Sequence, residues 1–322
     1  MRAIVVVATA VFLAGIAIGS PARTQDYPNR PVRIVVGFIP GSAADITARV
    51  LGNGLGKLLG QQFVVENRPG AGSNLAAEFS ARAPKDGYTL FLGSSASVAN
   101  QVITPNLGFD MTKDFAPIAL ATLAPVILVV HPSTGVKSVS ELIALAKAKP
   151  GEILYASTGV GTAPHLAAEL FDTRAGVKMV HVPYQGSPQA VTDLIAGRTA
   201  VMFSPASAVI SQVEAGKLTA LASAAAKRPS IASDLPTMAE AGMPDFDTSI
   251  WFGLMAPAGT PADVVDKLAQ AVPQVIRSGE AQTALKGQGF DTLTGGPEEF
   301  TRFLVAETAK WNEAAKAAGL KK

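Results

Sequence analysis

The chain has 322 residues, with 27 Lys and Arg against 25 Asp and Glu, no cysteine and three histidines. Without cysteine it cannot form a disulfide framework, a zinc–cysteine site, an iron–sulfur cluster or a thiol nucleophile. The formal net charge is only +2, and the basic residues are scattered along the sequence. Both facts argue against a surface that binds a phosphate backbone. We therefore expect no nucleic-acid partner, no metal site and no cofactor.

The first 22 residues are typical of an export signal. Met1-Arg2 gives a positive start, residues 3–19 are uncharged, and residues 20–22 (SPA) are small where a signal peptidase cleaves. The alternative, a permanent transmembrane anchor, needs about 20 apolar residues. We expect cleavage after Ala22, export, and a mature chain of 300 residues. That length favours two domains over one.

Strands alternate with helices along the rest of the chain. Apolar, β-branched runs predict strands over residues 32–36, 63–65, 88–92, 126–130, 153–156, 179–182, 200–203 and 250–255. Helical spacing of apolar residues follows several of these runs, and Ser138 with Glu141 forms a capping box at the start of one helix. This alternation predicts parallel sheets with helices on both faces.

Three predicted strand-to-helix turns share one design. They are rich in Gly, Ser, Thr and Pro and cover residues 37–45 (GFIPGSAAD), 68–74 (RPGAGSN) and 157–164 (STGVGTAP). A helix N-terminus leaves backbone N–H groups unpaired and carries about half a positive charge, so it attracts anions. Glycine allows a ligand to approach the backbone, and hydroxyl groups add donors. The alternative is that these turns serve packing alone.

The turn at Gly159 resembles a dinucleotide-binding fingerprint but lacks two parts of it. Pro164 stands where the third glycine is needed, and the next strand ends at His181 instead of an acid that would hold a ribose hydroxyl. The chain has no G-x-x-x-x-G-K-[ST] phosphate loop either. These departures argue against a nucleotide-binding fold.

An exported serine esterase or amidase is the strongest alternative from the residues alone. Ser157 lies at a strand-to-helix turn, and His165 follows closely. However, Tyr155 occupies the position where the strained turn of a nucleophile elbow needs glycine. His165 is better explained as a packing or hydrogen-bonding residue in the first turn of its helix.

Two other residues have two interpretations each. Asp45 either orients a ligand or stabilises the first turn of its helix by its charge. Trp251 is either part of the core or the wall of a pocket.

A series of short motifs extends from Tyr27 to Gly319, and their order is more specific than any one of them. They are YPNRP (27–31), PGxxxD (40–45), NRPGAG (67–72), KDFAPI (113–118), YASxGxG (155–161), HLA (165–167), HVPYxG (181–186), PTMAEAG (236–242), WxGLxAPAGTP (251–261) and Trp311. With these motifs the chain resembles the Bug family, the tripartite tricarboxylate transporter receptors (TctC-like), which are periplasmic substrate-binding proteins.

The resemblance implies an α/β fold of the type II-like periplasmic-binding-protein kind. Two domains, each a mainly parallel sheet flanked by helices, would enclose a ligand cleft. Domain 1 would cover residues 23–125 plus 254–322, and domain 2 residues 126–253, after the signal peptide at 1–22. Ligand-holding loops would lie at residues 40–45, 70–74, 94–100 and 158–162.

The resemblance also implies which residues bind the ligand. Backbone N–H and hydroxyl donors on these loops would hold a carboxylate, and neighbouring side chains would complete the site. The expected ligand-binding residues are Ile39, Ser42, Ala43, Asp45, Ser73, Asn74, Ser94, Ser95, Asn100, Thr158, Gly161, Thr162, His165, Gln185, Ser204 and Trp251.

Three positions depart from the pattern of the family. Ser42 stands where a second glycine is usual, Ser97 where histidine is frequent, and Ser204 where an aspartate is common. An acid at the last position would pair with a ligand ammonium, so its loss favours a carboxylate without an amine. Aliphatic di- or hydroxy-acids and aromatic acids fit this description.

The function that the resemblance implies is capture without catalysis. The receptor would be a monomer that closes on its ligand and delivers it to the inner-membrane permease of a tripartite tricarboxylate transporter. A sensor subunit that presents its ligand to a membrane kinase would use the same cleft and remains an alternative.

Overall fold

The structure, a computed structural model, describes residues 27–287 and 289–317. The predicted signal peptide at 1–22 lies outside these residues. Strands and helices alternate, as the sequence predicts. The described strands are β1 (Val32–Val36), β2 (Phe63–Asn67), β3 (Thr89–Ser94), β4 (Phe115–Ala124), β5 (Val126–Val130), β6 (Leu154–Ser157), β7 (Val180–Pro183), β8 (Val201–Pro205), β9 (Thr219–Ser223), β10 (Ile250–Pro257) and β11 (Asp291–Thr292).

The helices flank the sheets that these strands form. In chain order they are α1 (Ala43–Leu59), α2 (Asn74–Ala81), α3 (Ser95–Ile103), α4 (Val139–Ala148), α5 (Ala163–Ala175), α6 (Ser187–Ile195), α7 (Ala206–Glu214), α8 (Ala262–Arg277), α9 (Gly279–Lys286) and α10 (Pro297–Ala317).

Two sheets organise the described chain. One has the strand order β11-β4-β10-β3-β1-β2, and the other has the order β7-β6-β8-β5-β9. We call the first sheet with its helices the first lobe and the second sheet with its helices the second lobe. The predicted α/β fold class is confirmed.

Most strands of each sheet run in one direction, as predicted, and β10, β11 and β5 run against them. Strand β1 is parallel to β2 and β3, whereas β10 is antiparallel to β3 and β4. The cause is the path of the chain. It leaves the first sheet at Ala124 and returns at Ile250, and these two residues are partners, so the returning strand has to run backwards. Strand β5, which follows the crossing from the first sheet, is antiparallel to β8 and β9 in the second sheet.

One predicted domain boundary lies between two strands, and the other lies inside a strand. The boundary between residues 125 and 126 lies beside Pro125, the single residue between β4 and β5. The boundary between residues 253 and 254 lies inside β10, and the whole of β10 belongs to the first sheet. Residues 250–253 therefore lie with the first lobe, because breaking a continuous strand would break its ladder.

Helix ends follow the local sequence. Ser42 caps α1 by accepting a hydrogen bond from the Asp45 N–H at 3.3 Å, and Gly60 ends the same helix with a left-handed φ of 73°. Ser138 caps α4 by accepting from the Glu141 N–H, as predicted, whereas the Glu141 carboxylate accepts from the Lys137 N–H at 2.7 Å, one residue before the cap.

The resemblance implies a loop at residues 94–100, but the structure has no loop there. Ser94 ends β3, and α3 begins directly at Ser95. The hydroxyls of Ser94, Ser95 and Ser97 therefore lie in the first turn of a helix and its cap. This matters for the site, because the first N–H groups of a helix have no partner within the helix.

None of the described helices is long and apolar enough to cross a membrane. The described residues also contain no group of three or more His, Asp and Glu side chains arranged to hold a metal ion.

Candidate functional site

Helices from both lobes begin around one cavity. Strands β1, β3, β6, β7 and β8 end near it, and the helices α1, α3, α5, α6 and α7 are the next elements after them along the chain. The cavity has a volume of about 30 Å³ and is lined by Phe38, Ser42, Ala43, Ala44, Ser94, Ser95, Ala96, Thr158, Thr162, Ala163, Pro164, Gly186, Ser187, Pro205, Ile250 and Phe252. In open α/β sheets, ligands bind at the carboxyl ends of the strands, and this cavity lies there.

The electrostatics of this cavity come from backbone dipoles. No lining residue carries a charged side chain. Each helix N-terminus instead contributes unpaired N–H groups and about half a positive charge. Several such termini at one point make a place that favours an anion over a cation.

Two hydroxyl groups on the lining strengthen this conclusion. Ser94 and Ser95 are buried, and their Oγ atoms make no hydrogen bond within the part of the chain that the structure describes. A buried hydroxyl without a partner is costly and calls for an explanation. Both hydroxyls lie at the start of α3, where a bound acceptor would satisfy them.

A second cavity of about 200 Å³ adjoins the first and shares Phe38 and Thr158 with it. It lies between the 70–73 turn of the first lobe and the 158–160 turn of the second, and Gln185 also lines it. We call this second cavity the mouth. The two cavities together form one cleft between the lobes.

The 70–73 turn has an unusual backbone. Ala71, Gly72 and Ser73 all have left-handed φ angles, of 46°, 63° and 82°. A non-glycine residue in this region costs about 1–2 kcal/mol. Ser73 is held there because its side chain packs on Gly37, where an added Cβ would lie 1.8 Å from the Ser73 Oγ.

A larger groove of about 690 Å³ lies at the opposite ends of β1 and β3. Its basic side chains are already paired. Arg30 pairs with Asp86 at 2.9 Å, and Arg82 pairs with Glu78 at 2.5 Å. Arg30 and Arg82 are therefore already neutralised by carboxylates. The cleft between the lobes is the better candidate site for an anion.

Asp45 lies beside the cleft, but its carboxylate is used by the protein. It accepts hydrogen bonds from the Gly41 N–H at 3.0 Å, from both Nε and an Nη of Arg49 at 2.9 and 3.0 Å, and from the Asn67 amide at 2.9 Å. Burial raises the pKa of this carboxyl, but the hydrogen bonds from Arg49, Gly41 and Asn67 outweigh burial and lower it. Asp45 therefore fixes the 37–42 turn from behind.

The serine and histidine of the hydrolase interpretation are not paired. The Oγ of Ser157 lies 2.6 Å from Nε2 of His181, and Ser157 is fully buried. His165 instead accepts a hydrogen bond at Nδ1 from the Gly161 N–H at 3.2 Å. The geometry gives no Ser157–His165 pair and no open path to the Ser157 hydroxyl.

The two histidines form a stack with an aromatic ring. The rings of His165 and His181 are 4.2 Å apart, and Tyr155 lies 4.9 Å from His181 on its other side. Burial lowers the pKa of His165 to about 4. Burial and the neighbouring His165 lower the pKa of His181 to about 4 as well. Both rings are neutral at neutral pH, which lets His165 accept from Gly161.

Trp251 lies in the core and not on the cavity. Its Nε1–H donates to Glu307 of α10 at 2.7 Å, and its ring meets Phe300 edge-on. Because side chains alternate along a strand, its neighbours Ile250 and Phe252 face the other way and line the cavity. The expectation that Trp251 contacts the ligand finds no support in this position.

The structure places the expected site residues in three groups. Eight line the cleft, namely Ser42, Ala43, Ser94, Ser95, Thr158 and Thr162 in the deep cavity and Ser73 and Gln185 at the mouth. Asp45, Gly161 and His165 support the turns from behind, as their hydrogen bonds show. The others, which line neither cavity, are Ile39, Asn74, Asn100, Ser204 and Trp251. Direct ligand contact stays a prediction for each residue.

Sequence reasoning missed several lining residues. Phe38, Ala44 and Pro164 lie inside turns that the sequence singled out, but apolar side chains gave no signal there. Ile250 and Phe252 could have been found, because strand alternation separates them from Trp251.

Comparisons with known proteins identify the family of this chain. The model of the tripartite tricarboxylate transporter family receptor (TctC) matches residues 47–320. The chain belongs to this family. Protein BugT of Bordetella pertussis is 34% identical over 313 residues, which cover 97% of this chain and 96% of BugT.

Solved structures of related proteins hold carboxylates. R. palustris Rpa4515, solved with adipate, is 37% identical, has a TM-score of 0.87, and the match covers 91% of this chain and 99% of that one. MatC of Rhodopseudomonas palustris, solved with malate, is 31% identical with a TM-score of 0.85, and the match covers 89% of this chain and 99% of MatC. Members of this family are periplasmic solute-binding proteins and not enzymes. This Bug-type receptor is therefore not an esterase or amidase.

Proposed function

We propose that this protein captures a small organic carboxylate in the cleft between its lobes. The observation that carries the proposal is the convergence of helix N-termini from both lobes on a buried cavity without charged side chains. The unpartnered hydroxyls of Ser94 and Ser95 add two donors. Charge-assisted hydrogen bonds of this kind contribute about 1.5–3 kcal/mol each.

We infer that the ligand is a carboxylate without an amine. A ligand ammonium needs an acidic partner, and no acid lines the deep cavity. Ser204, at the position where an aspartate is common in the family, is fully buried and donates to the Pro205 carbonyl. Adipate and malate, the ligands of the related structures, both belong to the proposed class.

The proposed cycle needs two domains that move. The first lobe would act as one domain and the second lobe as the other, with chain crossings at Pro125 and before Ile250. A ligand that contacts helices of both lobes favours the closed form by its differential contacts. The closed receptor would then deliver its ligand to the permease of a tripartite transporter as a monomer, after export with removal of the predicted signal peptide.

Thermal unfolding with a panel of organic acids tests the ligand class. The panel contains adipate, malate, succinate, benzoate, aspartate and glutamate. A ligand at 100 times its dissociation constant adds about 2.7 kcal/mol to the free energy of unfolding. We expect a raised melting temperature with at least one acid that lacks an amine. Stoichiometric binding of aspartate or glutamate alone would contradict the proposed class.

Ser95→Ala tests the binding chemistry with the acid that the panel identifies. We expect the dissociation constant, measured by calorimetry, to rise about tenfold or more, because one charge-assisted hydrogen bond is lost. Ser80→Ala is a matched control, since Ser80 on α2 is equally buried, its Oγ also lacks a partner, and it lines neither cavity. Equal affinity losses in both variants would argue against the role of Ser95.

A further inference from the structure

The two lobes touch at the mouth through backbone atoms. The turn at residues 70–73 of the first lobe meets the turn at residues 158–162 of the second. A Cβ added to Gly72 would lie 2.3 Å from the Val160 carbonyl oxygen, which leaves no room for a side chain. The main chain at Gly72 and the main chain at Val160 are therefore in direct contact, which only a glycine at position 72 permits.

Asn100 of α3 joins both turns. Its side-chain amide donates to the Gly72 carbonyl at 2.9 Å, within its own lobe. Its Oδ1 lies against Gly161 of the second lobe, where an added Cβ would be only 1.7 Å away. Asn100 is 2% exposed, so the contact is buried. The side chain thus stabilises the strained turn at Gly72 and touches the opposite lobe with its other end.

A second contact across the cleft has the same character. A Cβ added to Gly186 of the second lobe would lie 2.8 Å from Ile39 of the first. Both contacts pair a side chain of the first lobe with a glycine of the second. This close approach of the lobes therefore depends on the absence of side chains at two positions.

We propose that Asn100 is a positioning residue that latches the two lobes through Gly72 and Gly161, and that it does not contact the ligand. Its Nδ2 donates to the Gly72 carbonyl, its Oδ1 packs against Gly161, and the residue lines neither cavity, so the side chain is not placed to meet a ligand. The latch sets the balance between the closed and open forms, and it acts on the affinity for the ligand only through that balance. This inference rests on the proposed function, because it concerns closure around the same cleft.

Distance measurement by double electron–electron resonance tests the latch without any ligand. The chain has no cysteine, so cysteines introduced at the exposed positions Asn53 on α1 and Gln189 on α6 are the only labelling sites. In buffer free of carboxylates, we expect Gly161→Ala to shift the distance distribution towards longer values. The ratio of closed to open form should fall about tenfold or more, because the new Cβ collides with Asn100.

The strain of an alanine with positive φ needs its own control. Gly151 has a φ of 75°, nearly the same as the 76° of Gly161, and an added Cβ meets no atom within 4 Å. Gly151→Ala therefore introduces the same backbone strain without a contact between lobes. We expect it to keep the closed-to-open ratio of the parent.

The double variant Gly161→Ala/Asn100→Ala separates the latch from any other effect. The three atoms nearest to the added Cβ all belong to Asn100, so removing that side chain makes room for it. We expect the double variant to be more closed than Gly161→Ala alone. Where Gly161→Ala fails to fold, Asn100→Asp carries the test, because a carboxylate cannot donate to the Gly72 carbonyl and the turn that meets Val160 of the second lobe loses its support.

Three results would overturn the proposal. They are an unchanged ratio in both Gly161→Ala and Asn100→Asp, an equal effect of Gly151→Ala, and a double variant as open as the single one. None of these readouts requires a ligand. A failed acid panel would therefore count against the proposed function alone, and these results against the latch alone.

Discussion

Asp45 illustrates how a residue can border a ligand cleft without serving the ligand. Its carboxylate accepts a bidentate pair from Arg49 and further bonds from Gly41 and Asn67. Asn67 also donates to the Phe38 carbonyl at 2.9 Å, so this cluster holds the whole 37–42 turn. From the sequence alone, an acid in a first helical turn fits either role, because the partners come from another strand.

We expect Asp45→Asn to lower the free energy of unfolding by about 2 kcal/mol, the range for hydrogen bonds to a charged group. Because the pKa of this carboxyl is lowered in the folded state, its stabilisation is present above its unfolded value of about 3.9 and is lost as the pH falls. Urea unfolding at pH 7 and at pH 3 measures the difference, which should shrink at the lower pH.

Glu78→Gln is the matched control for this prediction. Glu78 and Arg82 have the same i, i+4 spacing as Asp45 and Arg49, but their side chains are 35% and 68% exposed, against 4% for Asp45. An exposed pair contributes about 0.3–0.5 kcal/mol. Equal losses of unfolding free energy in the two variants would show that the buried ion pair of Asp45 is no more stabilising than the exposed pair of Glu78.

At the scale of elements, a ring stack joins β6, β7 and α5 behind the 158–162 turn. Tyr155, His181 and His165 lie face to face, and the Tyr155 hydroxyl donates to Glu169 at 2.5 Å. His165 holds the Gly161 N–H only as a neutral ring, because a protonated ring cannot accept at Nδ1. The three elements are therefore coupled to pH.

The sign of this coupling follows from the pKa values. The pKa of each histidine is about 4 when folded and about 6.5 when unfolded, so the unfolded state binds more protons between these values. Stability should then fall as the pH drops from about 6.5 to about 4. Asp172 opposes one of the histidines, because burial raises its pKa to about 6.

His165→Asn tests the coupling, since the asparagine oxygen can still accept from Gly161. We expect the slope of unfolding free energy against pH, between pH 6.5 and 4, to decrease by up to about 1.4 kcal/mol per pH unit. Urea unfolding across this range gives the slope. An unchanged slope would mean that His165 titrates alike in both states.

Strand β10 separates two functions on its two faces. Trp251 faces α10, where Glu307 also accepts from the Nε1–H of Trp311 at 3.1 Å. We expect Trp251→Phe to lower the unfolding free energy by about 1–3 kcal/mol, because Glu307 loses one donor, and to leave the dissociation constant unchanged.

Phe252→Leu is the partner experiment on the opposite face. Phe252 lines the deep cavity, so we expect a changed dissociation constant for the identified acid. Calorimetry with both variants compares the two faces directly. A weakened affinity in Trp251→Phe at unchanged stability would restore Trp251 to the site.

Strands made of continuous β-branched runs are predicted better from the sequence than other strands are. The β5 range was predicted to the residue, and β1 likewise, because both are β-branched runs with clear ends. Strands β4 and β9 were missed. They read FAPIALATLA and TALAS, and small residues with a proline carry little strand preference, so pairing with neighbours decides their conformation.

At the scale of the whole molecule, the path of the chain limits how the cleft can open. It crosses from β4 to β5 through Pro125 and returns into β10, whose first residue pairs with the last residue of β4. Opening that kept both sheets intact would be a rotation of whole lobes about these crossings.

Hydrogen exchange of the opened Gly161→Ala variant tests this motion. We expect amides in the turns at residues 70–73 and 158–162 to exchange faster than in the parent. Amides of β3, β4 and β10 should keep their protection, because their ladders do not break. Mass spectrometry after pepsin digestion measures both groups. Loss of protection in β10 would indicate local unfolding instead of a rigid rotation.

The cleft as a whole was partly visible in the sequence. The turns around Ser42 and Thr158 were visible as strand–glycine–helix patterns, and both line the cavity. The sequence does not show which residues line the cavity and which only support its turns, because this depends on contacts between distant segments. Asn100 meets Gly161, and His165 turns back to the backbone of its own turn.

Substitutions can change the ligand specificity of the cavity more easily than its preference for anions. The groups proposed to attract the carboxylate are mostly main-chain N–H groups, which every amino acid except proline supplies. A single substitution can therefore weaken this attraction but cannot reverse its sign, short of introducing an acid. Changes of Ile250, Phe252 or Ala43 would alter which carbon skeleton fits while the preference for anions persists. The choice of ligand and the choice of charge are thus encoded in different parts of the polypeptide.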